Sequence, residues 1–135
     1  MSCTSAIYAA NSNEQEIPAG LATAIDFGRV IRAFGSNVKM YAGNVKIDCA
    51  GDYIAETNFA FTAGAGAVAI QLYEDGVAIP GAVRRLTAAA GGEYSRTIPF
   101  LIRSTCCKEK VITAEITSAA DATITNAAIL IHRVR

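Results

Sequence analysis

The chain has no tryptophan, one histidine, two methionines and three prolines in 135 residues. Each scarcity excludes something. A metal-dependent enzyme of the double-sheet cupin kind needs clustered imidazoles, and one histidine per chain cannot supply them. A sugar-binding platform usually wants an exposed aromatic face. Tryptophan is absent here, and most Tyr and Phe fall at positions that read as core. Charge of one sign is also lacking: twelve basic residues face twelve acidic ones, and charged residues make up only 18%. A dominant nucleic-acid partner needs a concentrated basic surface, so none is expected. No apolar run approaches the roughly 18–20 residues that span a bilayer, so membrane insertion is not expected. Residues 1–20 lack a basic start followed by an apolar block, so no signal peptide is read there. The chain is therefore expected to be made in a cytoplasm, from which lysis or assembly could carry it elsewhere. No Gly-x-Ser-x-Gly elbow and no Ser/His/Asp set occurs. Gly64-Ala65-Gly66 is followed by no Lys-Ser or Lys-Thr, so it is not a phosphate loop. The reading is of a protein that is not an enzyme, with no catalytic residues, cofactor or metal.

What the chain does have is alternation. At 135 residues it is expected to form a single domain, 1–135, with a sizeable core. Alanine favours helix by propensity, but here it alternates with Val, Ile and Thr, and pattern outweighs propensity. Residues 51–81 organise the rest. From Gly51 to Thr62, Tyr53, Ala55, Thr57, Phe59 and Phe61 share one face. Ile54, Glu56, Asn58 and Ala60 share the other, which is the period of a strand. Ala63-Gly64-Ala65-Gly66 reads as a hairpin turn into a second strand, 67–74, with Val68, Ile70 and Leu72 on one face. Asp75-Gly76 is a strong short hairpin signal, followed by a short strand ended by Pro80-Gly81.

The remainder reads in order as a short opening strand over Ser5–Ala9 and a polar loop over 11–16. Extended chain and loop follow through 23–33, then a small hairpin about Ala42-Gly43. Further strands cover 82–87, 93–103, 111–118 and 123–134. This amounts to about eight to ten short strands, an all-β antiparallel two-sheet sandwich. The last strand looks apolar on both faces, with Ile124, Ala128 and Leu130 against Ala127, Ile129 and Ile131. A strand buried on both faces needs a second partner, and another copy of the chain is the economical one. Ala127, Ile129 and Ile131, with Tyr73, are therefore the expected oligomer interface.

Three sets of residues invite a functional reading. Cys106 and Cys107 are adjacent, which strains a bond between them. With Cys3 and Cys49 they could be free or buried thiols, a disulfide within or between subunits, or, least simply, a metal site. His132 sits in the apolar closing strand, either as a hydrogen-bonded strand residue or as a pH-sensitive interface group. Arg84, Arg85, Arg96 and Arg103 could gather into a patch for an anionic glycan or protein. The simpler reading is a solvated face with ion pairs to Glu56, Glu93 or Glu115.

The order of features resembles the jelly roll of tumour-necrosis-factor-like proteins and complement-type globular heads. Ser5-Ala-Ile-Tyr8 resembles the opening strand, and Ile25-Asp-Phe-Gly-Arg-Val-Ile31 is similar to the segment that follows it. Val45-Lys-Ile47 with Ala50-Gly51-Asp-Tyr53 resembles the step into the long central strand. Thr123 to Val134 resembles the closing strand. Leu72 to Gly81 is similar to a stretch in small jelly-roll proteins of phages, prophages and spore surfaces. The chain lacks the collagen stalk of complement heads and an evident carboxylate cluster for calcium. The resemblance implies a compact homotrimer that displays loops at one end. It points to a non-enzymatic phage or prophage virion accessory protein of capsid, fibre or tail, meeting other virion proteins or a host-surface glycan or protein. The alternatives are a bacterial surface or spore-coat head domain and a carbohydrate-binding module.

Overall fold

The computed structural model describes residues 5–35, 37–105 and 109–135. Twelve strands occur among these residues: β1 (Ala6–Asn11), β2 (Gln15–Ile17), β3 (Thr23–Ala24), β4 (Arg29–Phe34), β5 (Val38–Tyr41), β6 (Asn44–Ile47), β7 (Gly51–Ala63), β8 (Gly66–Glu74), β9 (Val77–Ala88), β10 (Gly92–Ser104), β11 (Lys110–Ser118) and β12 (Ala122–Arg133). They form two antiparallel six-stranded sheets, an all-β jelly-roll sandwich. Sheet A runs β10-β7-β12-β1-β4 with β2 beside β12. Sheet B runs β5-β6-β11-β8-β9 with β3 beside β11. The strands beyond the expected eight to ten are short pieces whose few residues carry too little alternation to read.

The core is what the alternation requires. Tyr53, Ala55, Thr57, Phe59 and Phe61 of β7 are all buried, and Ile54, Glu56 and Asn58 between them are exposed. From sheet B, Val68, Ile70 and Leu72 of β8 and Ile112, Ala114 and Ile116 of β11 meet them. Four polar side chains are buried among the described residues, Ser5, Thr57, Ser104 and Ser118; of these Thr57 donates its hydroxyl hydrogen bond to Ile98 O at 2.9 Å, which offsets the cost of burying it. Ile25 and Phe27, between β3 and β4, close one side of the sandwich, and the Phe27 and Phe59 rings lie 5.8 Å apart.

The Ala63–Gly66 turn is not a hairpin. β7 and β8 lie in different sheets, and each pairs instead with a strand from the other end of the sequence, β12 and β11. The reason is the sidedness of the two strands. Each has one strongly apolar face, and turning the chain from one sheet to the other sets those faces against each other across a core. The 119–121 link makes the same passage alongside. Gly64 N donates to Asp121 O at 3.1 Å and Ala119 N to Ala67 O at 2.9 Å. A methyl at Gly64 would sit 2.7 Å from Ala120 Cβ, and one at Gly66 2.8 Å from Ala119 Cβ. Glycine is required here because two backbones cross within side-chain distance.

The Asp75-Gly76 expectation holds: both residues have φ in the left-handed region, at 50° and 82°, and β8 pairs with β9 across them. The strand that follows does not end at Gly81. It runs from Val77 to Ala88, interrupted by a bulge that sets Ala78 opposite Tyr73 and Val83 opposite Gln71. Gln71 Nε2 reaches into the bulge, 3.1 Å from Ile79 O and 3.2 Å from Ala82 O. Pro80 is tolerated because β9 is an edge strand with no outer neighbour to receive an N–H.

The closing strand corrects the sequence reading. The β12–β7 register shifts between Ile124 and Asn126, so Thr125 is an extra residue, and it donates to Ala60 O at 3.1 Å. One extra residue reverses the faces. Ile124 therefore joins Ala127, Ile129 and Ile131 in the core, all four fully buried, while Ala128 and Leu130 turn outward. Ala127, Ile129 and Ile131 are consequently unavailable as an interface, since the chain's own second sheet covers them. Ile129→Asp should destabilise the isolated chain by about 3 kcal/mol or more, as an uncompensated buried charge. Leu130→Gln, on the outer face, should lower the denaturation midpoint far less. Urea unfolding of both variants checks this, and equal midpoints would refute the inward assignment of Ile129.

Candidate interaction surfaces

The outer face of sheet A is built from the alternate residues that the core leaves over. Across the strands, Leu101, Ile54, His132, Ala6 and Phe34 fall in one row. In the next, Pro99, Glu56, Leu130, Tyr8 and Arg32 lie side by side. Side chains on one sheet face at this spacing touch their cross-strand neighbours. The rows are apolar for a surface: Tyr8, Ile54, Phe34, Leu101 and Leu130 are all exposed, with Leu101 at 73% and Phe34 at 63%, and Ile31, at the β1–β4 irregularity, is exposed beside them.

Two hollows mark the ends of this face. At the β4 side, Ala6, Tyr8, Ile31, Phe34 and Leu130 surround a depression of about 320 Å³. At the β10 side, Val77, Ile79, Pro80 and Leu101 form another of about 280 Å³, with Glu74 and Arg103 at its rim. Val77, from the neighbouring edge strand of sheet B, is 70% exposed. Glu56 stands between the two, its backbone opposite Pro99 and Leu130. A third, shallow hollow of about 540 Å³ lies on sheet B over the small side chains Ala67, Ala69, Thr87 and Thr117, beside Arg85.

The residues singled out from sequence are dispersed. Tyr73 belongs to β8 in sheet B, on the opposite side of the sandwich from the outer face of β12. Arg84 and Arg85 lie on β9 of sheet B, and Arg96 and Arg103 on β10 of sheet A, so the four do not share a sheet. Arg84 donates to Val83 O at 2.9 Å, and Arg96 lies over the Tyr94 ring at 5.9 Å. Arg103 is ion-paired, at 2.9 Å, but with Asp52 rather than with the glutamates expected. Cys49 is disulfide-bonded; Cys3, Cys106 and Cys107 lie outside the described residues. Tyr53 donates its hydroxyl hydrogen bond to Cys49 O at 2.8 Å, tying the start of β7 to that segment, and burial pushes the phenol up from its ordinary value. His132 is half-buried on the outer face of sheet A, opposite Ile54 and Ala6. Among the described residues no group of three or more His, Cys, Asp or Glu is placed to hold a metal ion. No helix among them is long and apolar enough to cross a membrane.

Sequence reasoning missed the β4 edge and Arg133 with Arg135. The signal for β4 was present: Val30, Ile31 and Phe34 are apolar in a stretch that cannot all face inward. Arg133 and Arg135 end the closing strand and flank Asp52. The Asp52 carboxyl is lowered from its ordinary value, first by its hydrogen bond from Arg103, against an opposing rise from desolvation, with the fields of Arg103, Arg135 and Arg133 lowering it further.

No protein-family model and no curated protein matches the chain in sequence. Its fold matches solved structures over nearly its whole length. PRD1 vertex protein P5 superimposes with a TM-score of 0.66 at 16% identity, covering 100% of both chains. The globular domain of zebrafish complement 1qA protein gives 0.72 at 8%, covering 98% of each. Eiger TNF from S. frugiperda gives 0.69 at 8%, covering 97% of this chain and 92% of that one. At these identities the likeness is one of fold: the tumour-necrosis-factor-like and complement-head jelly roll expected from the sequence.

The Asp52–Arg103 pair yields a pH prediction. A carboxylate whose folded value is depressed contributes stability above its unfolded value and loses it as pH falls through the folded one. The stability difference between the parent chain and Arg103→Ala should therefore be present at neutral pH and vanish as pH drops below the ordinary carboxylate range. Being exposed, the pair should contribute little and less still at high salt. Urea melts across pH with the Asp52 carboxyl followed by NMR check it. An unaltered Asp52 titration in Arg103→Ala would contradict the assignment.

Proposed function

We propose that the chain is a non-enzymatic structural and binding protein that assembles as a homotrimer and is displayed on a virion. The observation that carries this reading is the pair of unlike apolar patches at opposite sides of sheet A, one around Tyr8, Ile31 and Phe34, the other around Leu101, Val77 and Pro80. Monomeric surfaces scatter apolar side chains singly, and patches of this kind commonly mark association. Were one patch self-complementary, a two-fold dimer would follow. Two different patches separated by the width of a sheet favour a head-to-tail contact, in which the β10 edge of one copy meets the β1–β4 face of the next. Such contacts close into a ring when the rotation allows, and a ring of three is what the resemblance to trimeric jelly rolls implies. The full-length likeness to a vertex protein supports a place on a particle. A rigid trimer would present three identical sites together, which converts weak single contacts into useful avidity. A bacterial surface or spore-coat head is the second reading, supported by the same fold without the particle.

A head-to-tail interface has a signature that a symmetric one lacks. The parent chain should scatter as three times 14.1 kDa on size exclusion. Leu101→Glu and Phe34→Glu each remove one patch, so each alone should run as a monomer. Mixed in equal amounts they should form a one-to-one pair, because each retains the patch that the other lacks. A parent chain that runs as a monomer would defeat the trimer, and variants that stay monomeric when mixed would defeat the head-to-tail arrangement.

A further inference from the structure

The start of β7 gathers more positive charge than its neighbours neutralise. Arg103 is held by Asp52, Nε to Oδ1 at 2.9 Å. Arg133 lies against Gly51, where an added methyl would sit 2.4 Å from Arg133 Nε, and it donates to Ala50 O at 3.3 Å. Its guanidinium is thus seated on bare backbone that only glycine leaves open. The backbone of Arg135 is pinned in turn: Asp52 N donates to Arg135 O at 3.0 Å, and Val134 N to Asp52 O at 2.9 Å. The guanidiniums of Arg103 and Arg133 and the backbone of Arg135 therefore meet at Asp52 and the two residues before it. The described lysines at this end of the sandwich are already matched, Lys39 with Asp48 at 3.4 Å, Lys46 with Glu109 at 2.8 Å and Lys110 with Glu74 at 3.5 Å. Among the described residues no acidic side chain is paired with Arg133 or Arg135.

We propose that Arg133 and Arg135, positioned beside the Asp52–Arg103 pair, bind the sulfate or carboxylate groups of an acidic polysaccharide. Guanidinium forks match such oxyanions with two parallel hydrogen bonds, and two arginines two residues apart in sequence can serve a chain that carries a charge on successive sugars. A long duplex fits poorly, because two guanidiniums per chain supply far fewer phosphate contacts than duplex binding rests on. The idea rests on the display reading for its purpose, since three such sites on one assembly would engage a repeating polymer together. The site itself is a property of the single chain.

The test uses two probes with the whole protein. A sulfated disaccharide reads one site, and dextran sulfate reads several at once, with a galacturonate disaccharide as the carboxylate counterpart. The disaccharides should shift the Arg133 and Arg135 side-chain Nε–H resonances. The double variant Arg133→Ala/Arg135→Ala should weaken binding of both kinds of probe by about tenfold or more, a change of about 1.4 kcal/mol or more. Arg85→Ala, on sheet B, should leave it unchanged, and binding should fall with added salt. The larger shift between the sulfate and carboxylate disaccharides identifies the anion. Absence of any shift, or equal loss in Arg85→Ala, overturns the site, and a DNA duplex bound as tightly as dextran sulfate overturns the polysaccharide assignment. Light scattering on the same samples separates the two ideas. If the chain proves monomeric, dextran sulfate loses its advantage while the disaccharide shifts and their loss in the double variant persist.

Discussion

The structure depends on one pairing that is made twice. β7 and β8 form one long, nearly continuous run, and β11 and β12 form another. The two runs lie antiparallel along their whole length, yet each changes sheets at its midpoint. The doubled ribbon is therefore folded over on itself, and its crease is the place where Gly64 and Gly66 pass Ala119 and Ala120 without room for a larger side chain. Everything apolar that the ribbon carries on its inner surface is enclosed by that single fold. The remaining strands add width to sheets whose centre the ribbon has already set. Since the paired residues are far apart in sequence, loop closure must precede much of the reward, and such a topology is expected to fold slowly for its size.

A sandwich of this width cannot hide all of a chain that is 52% hydrophobic. Strict alternation sends half of every strand outward, and on sheet A many of those outward residues are large and apolar. The face combines Leu101, Ile54, Leu130, Tyr8 and Phe34, with the carboxylate of Glu56 among them. These side chains lie outside the core between the two sheets, and apolar surface of this kind commonly marks association. The opposite face of sheet B carries Ala67, Ala69, Thr87 and Thr117 in the corresponding positions, so the two outer surfaces differ in kind.

Much of this was legible because β signals are local. The alternation from Tyr53 to Phe61, the Asp75-Gly76 turn and the apolar rows of β11 each announce a strand or a reversal within a few residues. The fold class and its jelly-roll character follow from them. What could not be read is relational. Ala63-Gly64-Ala65-Gly66 has the composition of a hairpin, and only the partners of β7 and β8 reveal a passage between sheets. The bulge at Thr125 has no compositional mark, so the sequence sets Ala127, Ile129 and Ile131 on an outer, interface face, where the register turns them inward. The arginines likewise sit at positions whose meaning depends on which sheet receives the strand. Arg103 found Asp52 next door, whereas Arg84 and Arg85 went to the other side of the molecule.

The extra residue at Thr125 has an evolutionary consequence. It works as a phase switch between two halves of one strand: before it, the inward set includes Ile124, and after it, Ala127, Ile129 and Ile131. Point substitutions on the exposed outer positions downstream are cheap, so Leu130 can drift and remodel a contact surface while the core stays still. A single-residue deletion in the same stretch is a different event, because it would exchange the two registers and turn every surface residue beyond it inward. The strand should therefore be permissive to replacement and intolerant of length change. Length variation among distant relatives should collect instead in the turns, where an added residue alters no strand's phase.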